Sequence, residues 1–259
     1  MHMVGQKMTN RTKSNVNMMD DIKDFFLDII YPPRCPICDK VIDKTKGRIH
    51  KECFEKISLI SGPVCMRCGK TIESESVEYC IDCYKRIGID KTFEQGKALF
   101  AYKGQMKNAM YRFKYASRGD YAVFFAEYAG YKYGDWIREK GIEAIVPVPM
   151  YLGKKKKRGY NQAEIWATKL GKELQIPVIT NWVIRTKDTK PMKNLDDLER
   201  EKNLKNAFQI KENIVKYNYI LLVDDIYTTG STADAVTKCI LSSGVDKVFL
   251  LSVCIGQGI

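Results

Sequence analysis

The chain has 259 residues, of which 45% are hydrophobic and 29% are charged, and this is the composition of an ordinary globular protein. Its 43 basic and 31 acidic side chains give a formal net charge of +12, which favours phosphorylated metabolites, nucleic acids or anionic membranes without naming one of them. No apolar run approaches the roughly 18 residues of a membrane span, and the polar first nineteen residues lack the apolar core of a signal peptide. We therefore expect a cytoplasmic protein without a membrane span, and a flexible tail at residues 1–19.

Helical spacing of apolar residues begins after this tail, at Asp20–Tyr31, and Pro32–Pro33 ends it. A cysteine-rich block then runs to about Ile89, and Lys187–Lys205 is a highly charged stretch that is typical of a loop with a polar helix. The predicted strands are Lys97–Tyr102, Ile142–Pro149, Pro177–Ile184, Tyr217–Val223 and Val245–Ile255. The predicted helices are Gln105–Tyr115, Tyr121–Lys140, Asn161–Leu174 and Thr232–Ser243.

This alternation of short apolar strands with amphipathic helices is typical of the α/β class, in which a parallel sheet is flanked by helices. The α/β domain is predicted at residues 91–259. A helix and a small cysteine-rich module are predicted in front of it, at residues 20–90.

The cysteine-rich block contains an internal repeat, since Pro33–Ile57 aligns without gaps with Pro63–Ile87. His50 in the first copy stands where Cys80 stands in the second, and both side chains bind zinc whereas only cysteine forms disulfides. The repeat therefore predicts two structural zinc ions, with redox-active CxxC pairs as the alternative. The predicted ligands are Cys35, Cys38, His50 and Cys53 for one ion and Cys65, Cys68, Cys80 and Cys83 for the other. The equal spacing also permits a cross-brace, but sequential sites make each repeat self-sufficient.

A phosphate-binding motif follows the apolar strand that begins at Tyr219. Two adjacent carboxylates, Asp224 and Asp225, come at the end of this strand, and a loop of small residues, Thr228–Thr232, opens into a helix. Backbone N–H groups and hydroxyls at a helix start bind a phosphate dianion. The acidic pair would repel that phosphate, so its natural partners are sugar hydroxyls or Mg²⁺.

This segment resembles the signature with which type I phosphoribosyltransferases bind 5-phosphoribosyl 1-pyrophosphate (PRPP). Over nearly its full length the chain resembles the ComF-type competence protein family, which pairs a double zinc ribbon with a phosphoribosyltransferase-like domain. The segments that carry this resemblance, besides the zinc knuckles, are Tyr102, Phe113-Lys114-Tyr115, Val146–Pro149, Arg158–Ala163, Arg200–Asn203 and Ala207-Phe208. Met192 departs from the family pattern, which has a glutamine nearby.

The resemblance implies a role for each part of the motif. Asp224 and Asp225 would hold the ribose hydroxyls as the catalytic pair. The 5-phosphate would lie on Thr228, Thr229, Gly230, Ser231 and Thr232. The turn at Val148 and Pro149 would approach the pyrophosphate, with Arg158 as a further candidate there, and Mg²⁺ would accompany PRPP.

The basic stretch Lys154–Arg158 has three interpretations, which are a solvated loop, a flap that neutralises pyrophosphate, and a contact for nucleic-acid phosphates. Two main functions remain open in the same way, and a zinc-bridged adaptor for protein interactions is a weaker third. The first is phosphoribosyl transfer from PRPP, with a role in DNA uptake that the resemblance implies. The second is a non-catalytic, PRPP-sensing adaptor that binds single-stranded DNA and competence proteins. The acceptor of a transfer reaction has no signature in the sequence, and both histidines, His2 and His50, are accounted for by the tail and by zinc.

Overall fold

The computed structural model describes residues 32–88, 92–188, 204, 206–211 and 217–256. The predicted tail and first helix therefore lie outside the described residues, as does most of Lys187–Lys205 with Met192. By its contacts the chain divides into two compact units, Met1–Lys56 and Ile57–Ile259. The second zinc ribbon thus groups with the α/β part, while the domain boundary at residue 90 stays a prediction. No helix in the described ranges has the length and apolarity needed to cross a membrane.

In the first unit the described residues form the first ribbon, with a short 3₁₀ turn at Lys44–Lys46 and helix α1 at Lys51–Phe54. The first described helix of the second unit is α2 at Ile81–Tyr84, inside the second ribbon. Its further helices are α3 (Gln105–Tyr115), α4 (Tyr121–Glu139), α5 (Leu152–Arg158), α6 (Gln162–Leu174) and α7 (Ser231–Leu241). Its strands are β1 (Gly96–Ala101), β2 (Ala144–Pro147), β3 (Val183–Arg185), β4 (Phe208–Ile210), β5 (Tyr219–Tyr227) and β6 (Lys247–Ile255).

The main sheet is parallel, with the strand order β1-β6-β5-β2 among the described residues. Its central strands are apolar on both faces because helices cover both of them. Ile220, Leu222 and Leu250 pack in one cluster with Val236 and Ile240 of α7. Successive strand residues point to opposite faces, and helix α6 packs against β2, β5 and α4 on the other side. The predicted α/β class with a parallel sheet flanked by helices is therefore confirmed.

Three predicted elements differ from the structure. The segment after Pro177 forms only a bridge from Val178 to Ile145, and β3 pairs with β4 in a separate antiparallel ribbon. The basic stretch Lys154–Arg158, which lies between predicted elements, belongs to helix α5. Strand β5 does not end at Val223 but continues through Tyr227, because β6 pairs with it as far as Ile255.

Helices α6 and α7 follow neighbouring parallel strands, β2 and β5, and cover opposite faces of the sheet. The chain therefore leaves the carboxyl ends of β2 and β5 in opposite directions, and a crevice opens between them. Ligands of open α/β sheets bind at such a point. The end of β5 that carries the acidic pair is therefore the candidate ligand site.

Candidate functional site

The acidic pair lies directly beyond the end of β2. Pairing between β2 and β5 stops at Pro147 and Val223, so Asp224 and Asp225 are the first β5 residues without β2 beside them. On the other side β6 continues, with Ser252 in register with Asp224. The backbone N–H of Asp225 donates to Oδ1 of Asp224 over 2.8 Å, which holds the first carboxylate against the chain. Both side chains are partly exposed at the crevice.

Lys114 is a cation at this site, although the sequence alone did not assign it a role there. Its Nζ lies 3.0 Å from Oδ2 of Asp225, and the two side chains are only 21% and 14% exposed. Burial by itself would lower the pKa of Lys114, but the charge and the hydrogen bond of Asp225 outweigh it and raise that pKa. Lys114 therefore stays charged and neutralises one of the two carboxylates. The sequence offered one indication of this role, because Lys114 lies in Phe113-Lys114-Tyr115, one of the segments that resemble the ComF-type family.

The other carboxyl group, that of Asp224, has an unusual pKa. Burial and the neighbouring charge of Asp225 raise the pKa of Asp224 to about 8, although Lys114 acts in the opposite direction. A carboxyl group that titrates near neutral pH can donate or accept a proton under ordinary conditions. The pair thus combines a carboxylate that is paired with Lys114 and a carboxyl group whose charge responds to its surroundings.

We expect this pKa to make the stability of the protein depend on pH. The folded state holds a proton on Asp224 that the unfolded chain releases at its ordinary pKa of about 4, so the free energy of unfolding falls as the pH rises from about 4 to about 8. This contribution is at most about 1.4 kcal/mol per pH unit. Urea unfolding of the wild type and of Asp224→Asn across this range isolates it, because other titrations cancel in the difference. A difference that does not change with pH would contradict the assignment.

The segment Tyr160–Gln162, which follows α5, forms hydrogen bonds that hold the backbone around the acidic pair in place. The hydroxyl of Tyr160 donates to the carbonyl of Phe113 over 2.5 Å, and Nε2 of Gln162 lies 3.4 Å from the carbonyl of Lys114. Asn161 caps helix α6 through its side-chain oxygen, while its Nδ2 donates to the carbonyl of Val148 over 3.0 Å. This segment therefore joins the end of α3, which carries the site lysine, to the turn after β2.

Two of the candidates for the pyrophosphate side lie at that turn, and the third, Arg158, lies at the end of α5. Val148 and Pro149 are both buried, and the N–H of Val148 donates to the carbonyl of Val223 over 2.9 Å. The guanidinium of Arg158 stacks on the ring of Tyr115, with 4.8 Å from its carbon to the ring centroid, and donates to Oε1 of Gln162 over 2.8 Å. Arg158 is thus held in place by neighbours, and its role toward a pyrophosphate stays a prediction.

The phosphate loop connects β5 to α7 in the predicted manner. Gly230 caps α7 with a φ of +91°, a left-handed conformation that favours glycine. The hydroxyls of Thr229 and Ser231 lie 3.2 Å apart on the loop. Because α7 has eleven residues, its first N–H groups and its dipole favour an anion at this end. The loop and the acidic pair therefore lie at the same strand end, as one site requires.

The zinc ligands group sequentially, as predicted, and not as a cross-brace. One cluster is Cys35, Cys38, His50 and Cys53, and the other is Cys65, Cys68, Cys80 and Cys83. Within each cluster the ligand atoms lie within 4.8 Å of one another, and a tetrahedral zinc ion with bonds of about 2.3 Å requires sulfurs roughly 4 Å apart. The donor sets therefore fit zinc. Four protein ligands fill each site, which is the mark of a structural and not a catalytic ion.

The two ribbons repeat the same local backbone. The N–H of Cys35 donates to the carbonyl of Lys40, and that of Cys65 donates to the carbonyl of Lys70. Asp39 and Gly69 both adopt positive φ, at 60° and 78°, to close the turn. These turns hold the first two ligands of each site on one side of the loop.

Comparison with known proteins agrees with this architecture. Residues 26–84 match the family model of the double zinc ribbon domain. Competence protein F of Haemophilus influenzae is 30% identical over 220 residues, which span 83% of this chain and 93% of that protein. The DNA utilization protein YhgH of Escherichia coli is 32% identical over 112 residues, which span 43% of this chain and 49% of that protein.

Among solved structures, a purine phosphoribosyltransferase from Pyrococcus horikoshii covers 53% of this chain and 72% of its own, with 18% identity and a TM-score of 0.29. The fold assignment rests on the strand order and not on this likeness. The similarity to the Haemophilus protein is a similarity of sequence, and it extends over most of both chains. At that identity and coverage, the chain belongs to the competence protein F, or ComF, family.

Proposed function

We propose that this protein binds PRPP, together with Mg²⁺, at the carboxyl end of β5 and transfers its phosphoribosyl group. The observation that carries the proposal is the position of Asp224 and Asp225 only a few residues before the anion-binding start of α7. A phosphate at one end of the crevice and hydroxyl groups beside it satisfy both halves of this site.

In this proposal the loop from Thr228 to Thr232 binds the 5-phosphate through its N–H groups and hydroxyls. The carboxylates accept hydrogen bonds from the ribose hydroxyls. Lys114 lowers their combined charge, so that they do not repel the anionic ligand. When Mg²⁺ is bound with PRPP, it would offset the negative charge of the departing pyrophosphate.

During transfer, the bond from C1 of the ribose to the pyrophosphate oxygen breaks and a bond to the acceptor nucleophile forms. The carboxylate beside the ribose stabilises the positive charge that develops at C1. The pKa of Asp224, at about 8, suits it to take the proton that the nucleophile loses. Because Asp225 is already paired with Lys114, the two acids have different roles.

Calorimetric titration with PRPP in the presence of Mg²⁺ tests the binding proposal, and we expect one site per chain. The absence of binding would overturn it. Transfer is tested by measuring the release of pyrophosphate with a panel of nucleobases and amines as acceptors. PRPP binding without any release would leave the protein a sensor and not an enzyme.

A second candidate is an adaptor that senses PRPP and binds single-stranded DNA, and one surface favours it. Tyr111 and Tyr115 on α3 are 64% and 61% exposed, with their ring centroids 5.1 Å apart, and Arg158 covers the ring of Tyr115. Neighbouring aromatic rings with a guanidinium are a stacking surface for bases. Tyr121 and Tyr128, by contrast, are buried and pack in the core. A role in DNA uptake agrees with the names of two relatives, competence protein F and DNA utilization protein YhgH, and the cytoplasm is the location that we propose for it.

Salt-dependent binding of an oligonucleotide, weakened by Tyr115→Ala but not by Tyr131→Ala, would support this candidate. Stacking contributes about 1–3 kcal/mol per base, so we expect a loss of roughly fivefold or more. Tyr131 is a matched control, because it is 55% exposed on the neighbouring helix α4. Equal affinity of all three proteins would remove DNA binding from this surface.

A further inference from the structure

The second zinc ribbon contacts the proposed phosphate loop, Thr228–Thr232, and the helix start that follows it. Arg86, three residues after the zinc ligand Cys83, places its Nη1 3.3 Å from Oδ2 of Asp234. Asp234 lies in the first turn of α7, directly after the loop. Both side chains are mostly buried, with 17% and 19% exposed, so this ion pair is poorly screened by solvent. An element of the ribbon thus reaches the helix start on which the proposed phosphate site depends.

The contact extends to the loop itself at Gly230. A Cβ atom added there would lie 2.5 Å from Nη1 of Arg86 and 2.4 Å from the hydroxyl of Tyr227. A larger residue here would therefore require Arg86 and Tyr227 to move, and the positive φ of this residue also favours glycine. Arg86 and Tyr227 therefore form the floor of the loop, and they limit how far its backbone can move away from a ligand.

Tyr227 is in turn held by the ribbon and by the segment that follows it. Its ring, 2% exposed, meets Phe93 edge to face at 6.0 Å and lies 5.9 Å from Nζ of Lys70. Lys70, itself 3% exposed, forms an ion pair with Asp82 inside the ribbon. The segment after the second zinc ligand and the turn after the last one thus both approach the end of β5.

The charges explain why an arginine is needed at this position. A carboxylate in the first turn of α7 interacts well with the helix dipole, but it would also repel a bound phosphate. Burial raises the pKa of Asp234, and Arg86 acts in the opposite direction. Arg86 thus keeps the charge of Asp234 compensated. Oδ1 of Asp234 has no hydrogen-bond partner within the described residues. If Arg86 were removed, no hydrogen bond at Oδ1 would compensate for the lost ion pair.

We infer that Arg86 is a positioning residue for the phosphate loop, and that the second ribbon is a structural part of the ligand site. This inference rests on the proposed function for the identity of the ligand, but the contact with the loop is independent of it. The two ribbons then differ in function, although they share a fold. The residue equivalent to Arg86 in the first repeat is Lys56, which belongs to the other compact unit.

The test compares Arg86→Ala with its repeat-matched control, Lys56→Ala. We measure PRPP affinity by calorimetry, hydrogen exchange of the backbone at residues 228–234, and zinc content. For Arg86→Ala we expect affinity about tenfold weaker and faster exchange at the loop, with zinc content unchanged. Lys56→Ala should match the wild type in all three measurements. Arg86→Ala combined with Asp234→Asn should recover part of the affinity, because it removes the uncompensated charge.

Wild-type affinity and wild-type exchange in Arg86→Ala would overturn the inference. It would also fail if the effects appeared only together with loss of zinc, since the cause would then be an unfolded ribbon. If the wild type itself does not bind PRPP, the proposed function fails, but the exchange at residues 228–234 still decides whether Arg86 holds the loop. The two failures are therefore distinguishable.

Discussion

PRPP should bind about 100-fold more weakly to the Asp224→Asn, Asp225→Asn double variant than to the wild type. Each carboxylate that accepts a hydrogen bond from a ribose hydroxyl contributes about 1.5–3 kcal/mol, and the amides keep only part of this. A loss of about 3 kcal/mol corresponds to roughly two orders of magnitude in affinity. Calorimetric titration in the presence of Mg²⁺ measures it directly.

The control for this variant is Asp246→Asn, which changes an exposed aspartate at the opposite end of the sheet, just before β6. We expect it to bind PRPP as the wild type does. The fold of the double variant can be checked by its zinc content and its unfolding transition, since the loss of Asp225 leaves the buried Lys114 without its ion pair. A double variant that folds and keeps wild-type affinity would remove the acidic pair from the site.

The second large effect is expected from the zinc ligands of the second ribbon. Cys65, Cys68, Cys80 and Cys83 are not only ligands, because they also pack in the same buried cluster as Trp182 and Leu222. Binding of structural zinc contributes about 10 kcal/mol or more to the folding of small zinc modules. Cys65→Ser should therefore lose one zinc ion and destabilise the whole unit Ile57–Ile259, by several kcal/mol in urea unfolding.

The repeat supplies a matched control, because Cys35 is the equivalent ligand in the first ribbon. Cys35→Ser should also lose one zinc ion. It should leave the unfolding transition of the α/β unit close to that of the wild type, because residues up to Lys56 form a separate compact unit. Equal destabilisation by the two variants would contradict this difference between the ribbons. Metal analysis of the wild type should find two zinc ions per chain.

Regular local patterns explain what the sequence could predict. The gapless repeat, with histidine replacing cysteine at one position, predicted the ligands and favoured the sequential grouping that the structure shows. Apolar runs such as Val248–Ile255 identified the buried strands, because strands covered on both faces have no polar alternation. The small residues after Asp225 identified the loop, since glycine with positive φ and hydroxyl side chains have few other uses at a helix start.

Contacts between distant segments account for what the sequence missed. Lys114 is 111 residues away from Asp225 in the chain, and only the tertiary fold brings them together. Arg86 was indistinguishable from any other basic residue of the ribbon until its contact with Asp234 was visible. Helix α5 was not predicted, because the lysines of its basic stretch show no apolar periodicity. Its helix is supported instead by neighbours such as Glu164, which lies 2.6 Å from Lys155.

The central claim is that one crevice binds both a terminal phosphate and the neighbouring sugar hydroxyls. The most direct test compares the affinities of two sugar phosphates. Ribose 5-phosphate and 2-deoxyribose 5-phosphate differ only in the hydroxyl at C2. We expect the wild type to bind the first about tenfold more tightly, and the double variant at Asp224 and Asp225 to bind both alike. Equal affinity of the wild type for the two sugars, or a preference that persists in the variant, would contradict the account.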